Sequence, residues 1–260
     1  EDIAAPKCFD IETALQDLDI PVFHDDQHGT AIVTLAALIN SAKLANKDIQ
    51  DMKIVINGAG AAGSAIADLL LRMNYIGQET KAAKEIIVCD SKGIIYESRA
   101  DISNQPAKLR IARKTNRNNV QGRLNEAMVD ADVFIGVSAG NVVNQEMVRS
   151  MKKDPIIFAM ANPIPEIMPK DAYKAGAFIV GTGRSDFENQ VNNVLAFPGI
   201  FRGALDAKAT TFTHDMKLAA AFSLANAVKE PSINKILPPV LDKEVPYLVA
   251  KNVEKVFKDS

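Results

Sequence analysis

The sequence predicts an α/β protein built on a doubly wound parallel sheet, with helical extensions at both ends. Three observations carry that expectation. Short apolar runs alternate with amphipathic segments along most of the chain, the pattern of strands joined by crossover helices. The runs are almost unbroken in Ile, Val, Phe and Ala, as strands buried on both faces are. Finally, Lys53-Ile54-Val55-Ile56-Asn57 leads directly into Gly58-Ala59-Gly60-Ala61-Ala62-Gly63 and then a stripe of Ile66, Leu69, Leu70 and Leu71. That is a strand, a glycine turn and a helix in one piece.

Each glycine of that piece has a physical task. Gly58 permits the tight turn, Gly60 lets the backbone approach a pyrophosphate, and Gly63 lets the helix pack close to the strand. The free N–H groups and the dipole at the helix start favour a bound anion. The sheet is therefore expected to be Rossmann-like, with a dinucleotide held along Gly58, Ala59, Gly60, Ala61, Ala62 and Gly63. Ile86-Ile87-Val88-Cys89-Asp90 is the next strand. Asp90 follows the turn at somewhat more than the usual spacing of about 20 residues, and the polar insertion Gly77-Gln78-Glu79-Thr80-Lys81 takes up the excess. An acid at this strand tip accepts hydrogen bonds from ribose hydroxyls and repels a 2′-phosphate, which favours NAD over NADP. Lys92, two residues on, weakens that preference and leaves NADP possible.

Taken in order, residues 1–24 contain a helix at Ile11–Leu15 and an extended stretch around Pro21. His24–Thr30 reads as a loop, and Thr30 to about Asn46 as a helix with Val33, Ala37, Leu38 and Leu44 on its apolar stripe. After the central unit, Asp101–Arg123 is polar and basic, a solvated crossover with a helix near Pro106–Arg113. Arg123–Val129 is helical, Asp132–Gly136 a third strand, Asn144–Met151 a helix, Ile156–Met160 a fourth strand and Ala177–Val180 a fifth. Met216–Val228 and Val245–Phe257 are amphipathic tail helices. The expected division is a remnant of a substrate and metal segment over 1–24, the dinucleotide domain over 25–212, and C-terminal helices over 213–260 packing on it.

Composition sets limits on function. The chain has 260 residues, 47% hydrophobic and 24% charged, enough for a real core. Net charge is -2 with no basic block, which speaks against nucleic acid. No apolar run approaches the roughly 20 residues of a membrane span, and no signal peptide is visible. Cys8 and Cys89 fit neither a disulfide framework nor a zinc spacing, so a reducing cytoplasm is the expected setting.

In open parallel sheets ligands bind beyond the carboxyl ends of the strands. Asn162, after the fourth strand, stands there as a contact to ribose, nicotinamide or substrate, or as a cap on the turn before Pro163. Asp25 and Asp26 are adjacent, as are Glu1 and Asp2. Adjacent carboxylates repel, and a hard cation such as Mg²⁺ or Mn²⁺ would compensate them. On spacing alone, surface charge is the more ordinary reading of both pairs. His24 and His28 are a weaker zinc alternative, because their spacing aligns them only on a helix.

Pro21-Val22-Phe23-His24-Asp25-Asp26-Gln27-His28-Gly29-Thr30-Ala31 closely resembles a signature of malic enzymes of the small bacterial type. Gly183-Arg184-Ser185-Asp186-Phe187 and the block Gln190–Ala204 resemble a second. The resemblance implies metal-dependent oxidative decarboxylation of L-malate to pyruvate and CO₂ with reduction of NAD or NADP. It implies Glu1, Asp2 and Asp26 as ligands of Mg²⁺ or Mn²⁺, and Asp25 as support for a catalytic lysine. Asn162 and Asn193 become contacts to malate and the nicotinamide. It also implies a homo-oligomer in the full-length enzyme. The family's proton-donor tyrosine and base lysine lie upstream of the Glu-Asp pair at which this sequence opens. The chain is therefore expected to be the cofactor-binding portion of a larger enzyme, inactive alone. An oxaloacetate decarboxylase on the same scaffold and a non-catalytic dinucleotide-binding module remain the alternatives.

Overall fold

The computed structural model describes residues 2–73 and 82–259. It opens with helix α1 (Lys7–Leu15) and α2 (Asp25–Leu44). The central unit is strand β1 (Lys53–Asn57) and helix α3 (Ala61–Leu71), followed by β2 (Glu85–Asp90) and a short β3 (Gly93–Ile94). Helices α4 (Pro106–Lys114) and α5 (Leu124–Met128) lead to β4 (Val133–Gly136). Then come α6 (Gln145–Arg149), β5 (Ile156–Ala159), α7 (Pro169–Lys174) and β6 (Ile179–Thr182). The chain closes with α8 (Phe197–Asp206), α9 (His214–Ala227) and α10 (Glu244–Asp259). The polar insertion at Gly77–Lys81 lies outside the described residues.

The six strands lie in the order β3-β2-β1-β4-β5-β6. All pairings are parallel except the β2–β3 edge. The order reverses between β1 and β4, and ligands of doubly wound sheets sit at that switch point. Strand alternation splits the core in two. Ile54, Ile56, Ile86, Val88, Val133 and Ile135 face the layer of α2, α3 and α9. Val55, Ile87, Phe134, Ile157 and Val180 face the layer that contains α5, α6 and α7. Burial on both faces is why these strands read as continuous apolar runs.

Helix α2 is the central helix of its layer. Every residue from Ala31 to Ala42 is buried, and Asn40 satisfies its amide by donating to Ala225 O and Ile236 O at 2.9 Å each. A helix buried on all sides shows no single stripe, so the stripe expected from Val33, Ala37 and Leu38 is only part of its packing. Its start differs from expectation. His24–Thr30 is not a loop: the helix begins at Asp25, with His24 as an extended N-cap. Two acids in the first turn are favoured there by the helix dipole, and a ring cluster secures the entry. Phe23 packs on Phe212 at 4.8 Å, His28 at 5.3 Å and Phe201 at 5.5 Å. The fifth long strand is also displaced, running Ile179–Thr182 instead of Ala177–Val180.

Candidate functional site

A cleft of about 1300 Å³ opens at the carboxyl ends of β1, β2 and β4. Gly58, Ala59 and Gly60 line it after β1, Asp90 after β2, and Val137 and Ser138 after β4. The glycine turn behaves as its chemistry requires. Gly58 has φ +130°, and a Cβ there would come within 2.7 Å of the Val137 carbonyl oxygen. A Cβ on Gly63 would overlap the Gly58 carbonyl, so only glycine lets α3 sit this close to the turn. A Cβ on Gly60 would meet no protein atom within 4 Å, so the space above this backbone is open to a ligand. Helix α3 starts at Ala61 with no side-chain cap, and its first N–H groups are natural partners for an anion. Ala61 and Ala62 form that first turn. These residues fit a dinucleotide pyrophosphate.

Asp90 corrects the sequence reading in one respect. Its carboxylate is not free for ribose hydroxyls alone. Arg99 donates to Oδ1 at 3.0 Å and to Oδ2 at 2.5 Å, Lys108 donates to Oδ2 at 2.7 Å, and the Lys92 N–H donates to Oδ1 at 2.9 Å. Despite burial, the Arg99 and Lys108 hydrogen bonds hold its pKa down at about 2. Lys92 contributes its backbone here, while its ammonium pairs with Asp101 at 3.0 Å. The polar crossover is thus more than a solvated face, since Lys108 and Arg123 line the cleft. A folded pKa below the ordinary value stabilises the fold above the ordinary carboxylate pKa, and that contribution fades as pH falls through about 2. Asp90→Asn is therefore expected to lower the unfolding midpoint by roughly 5 °C at neutral pH. The gap to wild type should close as pH drops from about 4 toward 2, as calorimetry across that range would record.

Behind the cleft, Glu166 was not foreseen. It is 0% exposed and accepts from Ser138 N at 3.0 Å and Ala161 N at 3.1 Å. Burial pushes its pKa up, against the pull of those N–H groups. A Cβ on Gly136 would strike its carboxyl group. Gly136 and Glu166 therefore pin together the loops that follow β4 and β5. Asn57 Nδ2 donates to Ser138 Oγ at 2.7 Å and completes the link to β1. An acid between Pro165 and Ile167 in an otherwise apolar stretch was the only sequence signal.

The acid pairs gather at the start of α2. Asp26 Oδ2 accepts from the Asp2 N–H at 2.8 Å and lies 3.3 Å from His24 Nε2. Asp2 and Asp26 are therefore neighbours across 24 residues. Glu1 lies outside the described residues, and among the described residues no three His, Cys, Asp or Glu side chains are clustered as a metal site. The two carboxylates fit an oxygen-liganded cation in kind, as two members of a larger set. Asp25 is buried, and its Oδ2 accepts from Asn193 Nδ2 at 2.6 Å. A Cβ on Gly29, one turn on, would overlap the Asp25 carboxylate, so Gly29 serves the position of Asp25. His28 does not join His24 as a zinc pair. Its Nε2 is 2.6 Å from Glu12 Oε1 and its Nδ1 is 3.1 Å from Lys217 Nζ. Asn162 is exposed and precedes a cis Pro163. Arg184 ties the neighbouring loops, donating to Pro163 O at 2.8 Å and clamping Asp186 at 2.8 and 2.7 Å.

Residues 27–257 match the family described as malic enzyme, NAD binding domain. The chain is 55% identical over its whole length to the bifunctional malic/malolactic enzyme of Bacillus subtilis (strain 168), of which it covers 62%. It is 52% identical over 88% of its length to the NADP-dependent malic enzyme of Rhizobium meliloti (strain 1021), covering 29% of that protein. Among solved structures, the NAD-dependent malic enzyme of Thermotoga maritima superposes with a TM-score of 0.91 at 45% identity, over 97% of this chain and 65% of that one.

Proposed function

The chain belongs to the malic enzyme NAD-binding-domain family, and from that membership we propose that it is the dinucleotide-binding portion of an enzyme that oxidatively decarboxylates L-malate. The products would be pyruvate, CO₂ and a reduced dinucleotide. The observation that carries this reading is the cleft at the switch point, floored by Gly58 and Gly60 and walled by Asp90. Asp25 and Asp26, to which the resemblance assigns malate processing, lie in the first turn of the neighbouring α2, which supports this reading.

The bound dinucleotide supplies the hydride acceptor. A Mg²⁺ or Mn²⁺ held by Asp26, Asp2 and Glu1 would supply Lewis-acid chemistry at the substrate hydroxyl and carboxylate. The chain's own residues do the holding. Gly58–Gly63 present bare backbone to the pyrophosphate. Glu166 fixes Ser138 beside it through the two loop amides. Asn193 orients the Asp25 carboxylate, whose charge would support a cationic base contributed from outside the described residues. Asn162 and Asn193 would contact malate and the nicotinamide end.

The Asp90 arrangement favours use of both dinucleotides. An unpaired acid at this strand tip would repel a 2′-phosphate. Here Arg99 and Lys108 offset that charge, and the relatives similar in sequence include both an NAD-dependent and an NADP-dependent malic enzyme. In this reading the full-length protein is a homo-oligomer that works in the cytoplasm; among the described residues no helix is long and apolar enough to cross a membrane.

The test is a spectrophotometric assay of the full-length protein with L-malate, Mn²⁺ and either NAD or NADP. The expected result is malate-dependent reduction of the dinucleotide matched mole for mole by pyruvate. Decarboxylation of oxaloacetate without dinucleotide reduction from malate would favour the decarboxylase reading instead.

A further inference from the structure

The start of α1 forms part of the wall of the cofactor cleft, where Ala5, Pro6 and Phe9 line it together with Gly58 and Gly60. Phe9 also lines a smaller cavity behind, with Ser64 and Ala65 of α3. Phe9 therefore stands beside the first turn of α3, where a pyrophosphate would meet the free N–H groups. Those groups and the helix dipole act more strongly where water is excluded, and an aromatic wall at this place excludes it.

Apolar packing does little to keep α1 there. Cys8 is its one buried residue, and Ile11 and Leu15 are each 40% exposed. The helix is seated by a polar anchor instead. Glu12 Oε2 accepts from Gln27 Nε2 at 2.9 Å, and Glu12 Oε1 lies 2.6 Å from His28 Nε2. On the other side of that ring, Lys217 Nζ is 3.1 Å from Nδ1. An ammonium can only donate. Nδ1 therefore accepts, and Nε2 carries the ring proton and donates to Glu12.

Each link of this anchor is fixed at its inner end. Gln27 and His28 belong to α2, the central helix of its layer. Lys217 lies on α9 between the buried Met216 and Leu218. Burial opposes the charge of Glu12, yet the His28 hydrogen bond and the Lys217 charge hold its pKa below the ordinary carboxylate value. Hydrogen bonds to an ionised acceptor are the strong ones. The other ties of this segment are a 3.4 Å contact between Gln16 and Thr211 and the Asp2 N–H bond to Asp26, which lies ahead of the helix.

We propose that Glu12 is a positioning residue for the cofactor: by binding Gln27 and His28 it seats α1, and so holds Pro6 and Phe9 against the dinucleotide cleft. This rests on the reading that a dinucleotide fills the cleft. Glu12 does not itself line the cleft, so its effect on the cofactor passes through α1. Without the anchor, α1 leaves its place in part of the molecules, and the apparent affinity falls with the fraction that stays competent.

The test uses the full-length protein and NADH. Fluorescence titration gives the affinity. Alkylation of Cys8, read by peptide mass spectrometry, reports the seating of α1, because Cys8 is 2% exposed there. Cys89 of β2 is 0% exposed and serves as the internal reference for opening of the whole fold. Glu12→Ala is expected to weaken NADH binding about tenfold and to speed Cys8 alkylation about tenfold, with Cys89 unchanged. Glu12→Gln keeps an oxygen for the His28 N–H and should bind NADH within about threefold of wild type. In the wild type, NADH should slow Cys8 alkylation at least about fivefold. The proposal is overturned if a folded Glu12→Ala protein binds NADH as wild type does, if Cys8 and Cys89 speed up together, or if NADH binds the wild type without slowing Cys8. A wild-type protein that binds no NADH would overturn the cofactor reading itself, so the two failures are told apart. Should Glu12→Ala fail to fold, the wild-type Cys8 rates with and without NADH decide between the same outcomes.

Discussion

Replacing Asp26 by alanine in the full-length protein is expected to lower malate-dependent reduction of the dinucleotide by about 1000-fold, the several kcal/mol that a Lewis-acid cation supplies. NADH affinity should stay within about threefold, because Asp26 does not line the cleft that Gly58, Gly60 and Asp90 form. The reasoning is electrostatic. Asp26 lies in the first turn of α2 directly after Asp25, and its carboxylate meets the backbone of Asp2, itself acidic. On the proposed reading a hard divalent cation compensates this concentration of negative charge. Calorimetric titration with Mn²⁺ gives the second readout. Unchanged Mn²⁺ affinity in Asp26→Ala would remove Asp26 from the ligand set even if activity fell.

The other large effect belongs to Gly63. Gly63→Val places a branched side chain where even a Cβ overlaps the Gly58 carbonyl. Either α3 moves away from β1 or the turn opens. Both displace the N–H groups at the start of α3 from the position that a pyrophosphate needs. NADH affinity is expected to fall at least about 100-fold, and stability to fall by about 2–3 kcal/mol from overpacking. Fluorescence titration of NADH and thermal unfolding measure the two separately. A stable Gly63→Val protein that binds NADH as tightly as wild type would show that the close approach has no part in cofactor binding.

The legible parts of the molecule were those whose physics is local. The β1–turn–α3 unit could be read because each of its glycines answers to backbone geometry within a few residues. The buried strands could be read because burial on both faces leaves an unbroken apolar run. Asp90 was legible as the acid at the tip of β2, but its neutralisation was not. Arg99 and Lys108 reach it only through the folding of the crossover, and a basic crossover looks like any solvated face.

The start of α2 misled for a related reason. Adjacent aspartates followed by Gly29 look like a loop. In the fold the acids sit at the positive end of a helix dipole, and Gly29 is there because Asp25 occupies the space of a Cβ. The Glu12–His28–Lys217 chain joins three separate helices, and no spacing rule could bring those residues together. Strand β3 has only two residues, too few to show a period.

The central claim is that a dinucleotide lies along Gly58–Gly63 and against the Asp90 wall at the switch point of the sheet. Hydrogen–deuterium exchange of the full-length protein with and without NADH tests it most directly. The expected result is slowed exchange at the glycine turn, the first turn of α3 and the segment from Asp90 through Lys108, with residues 244–259 unaffected. Protection that bypasses the glycine turn and falls elsewhere would contradict the assignment.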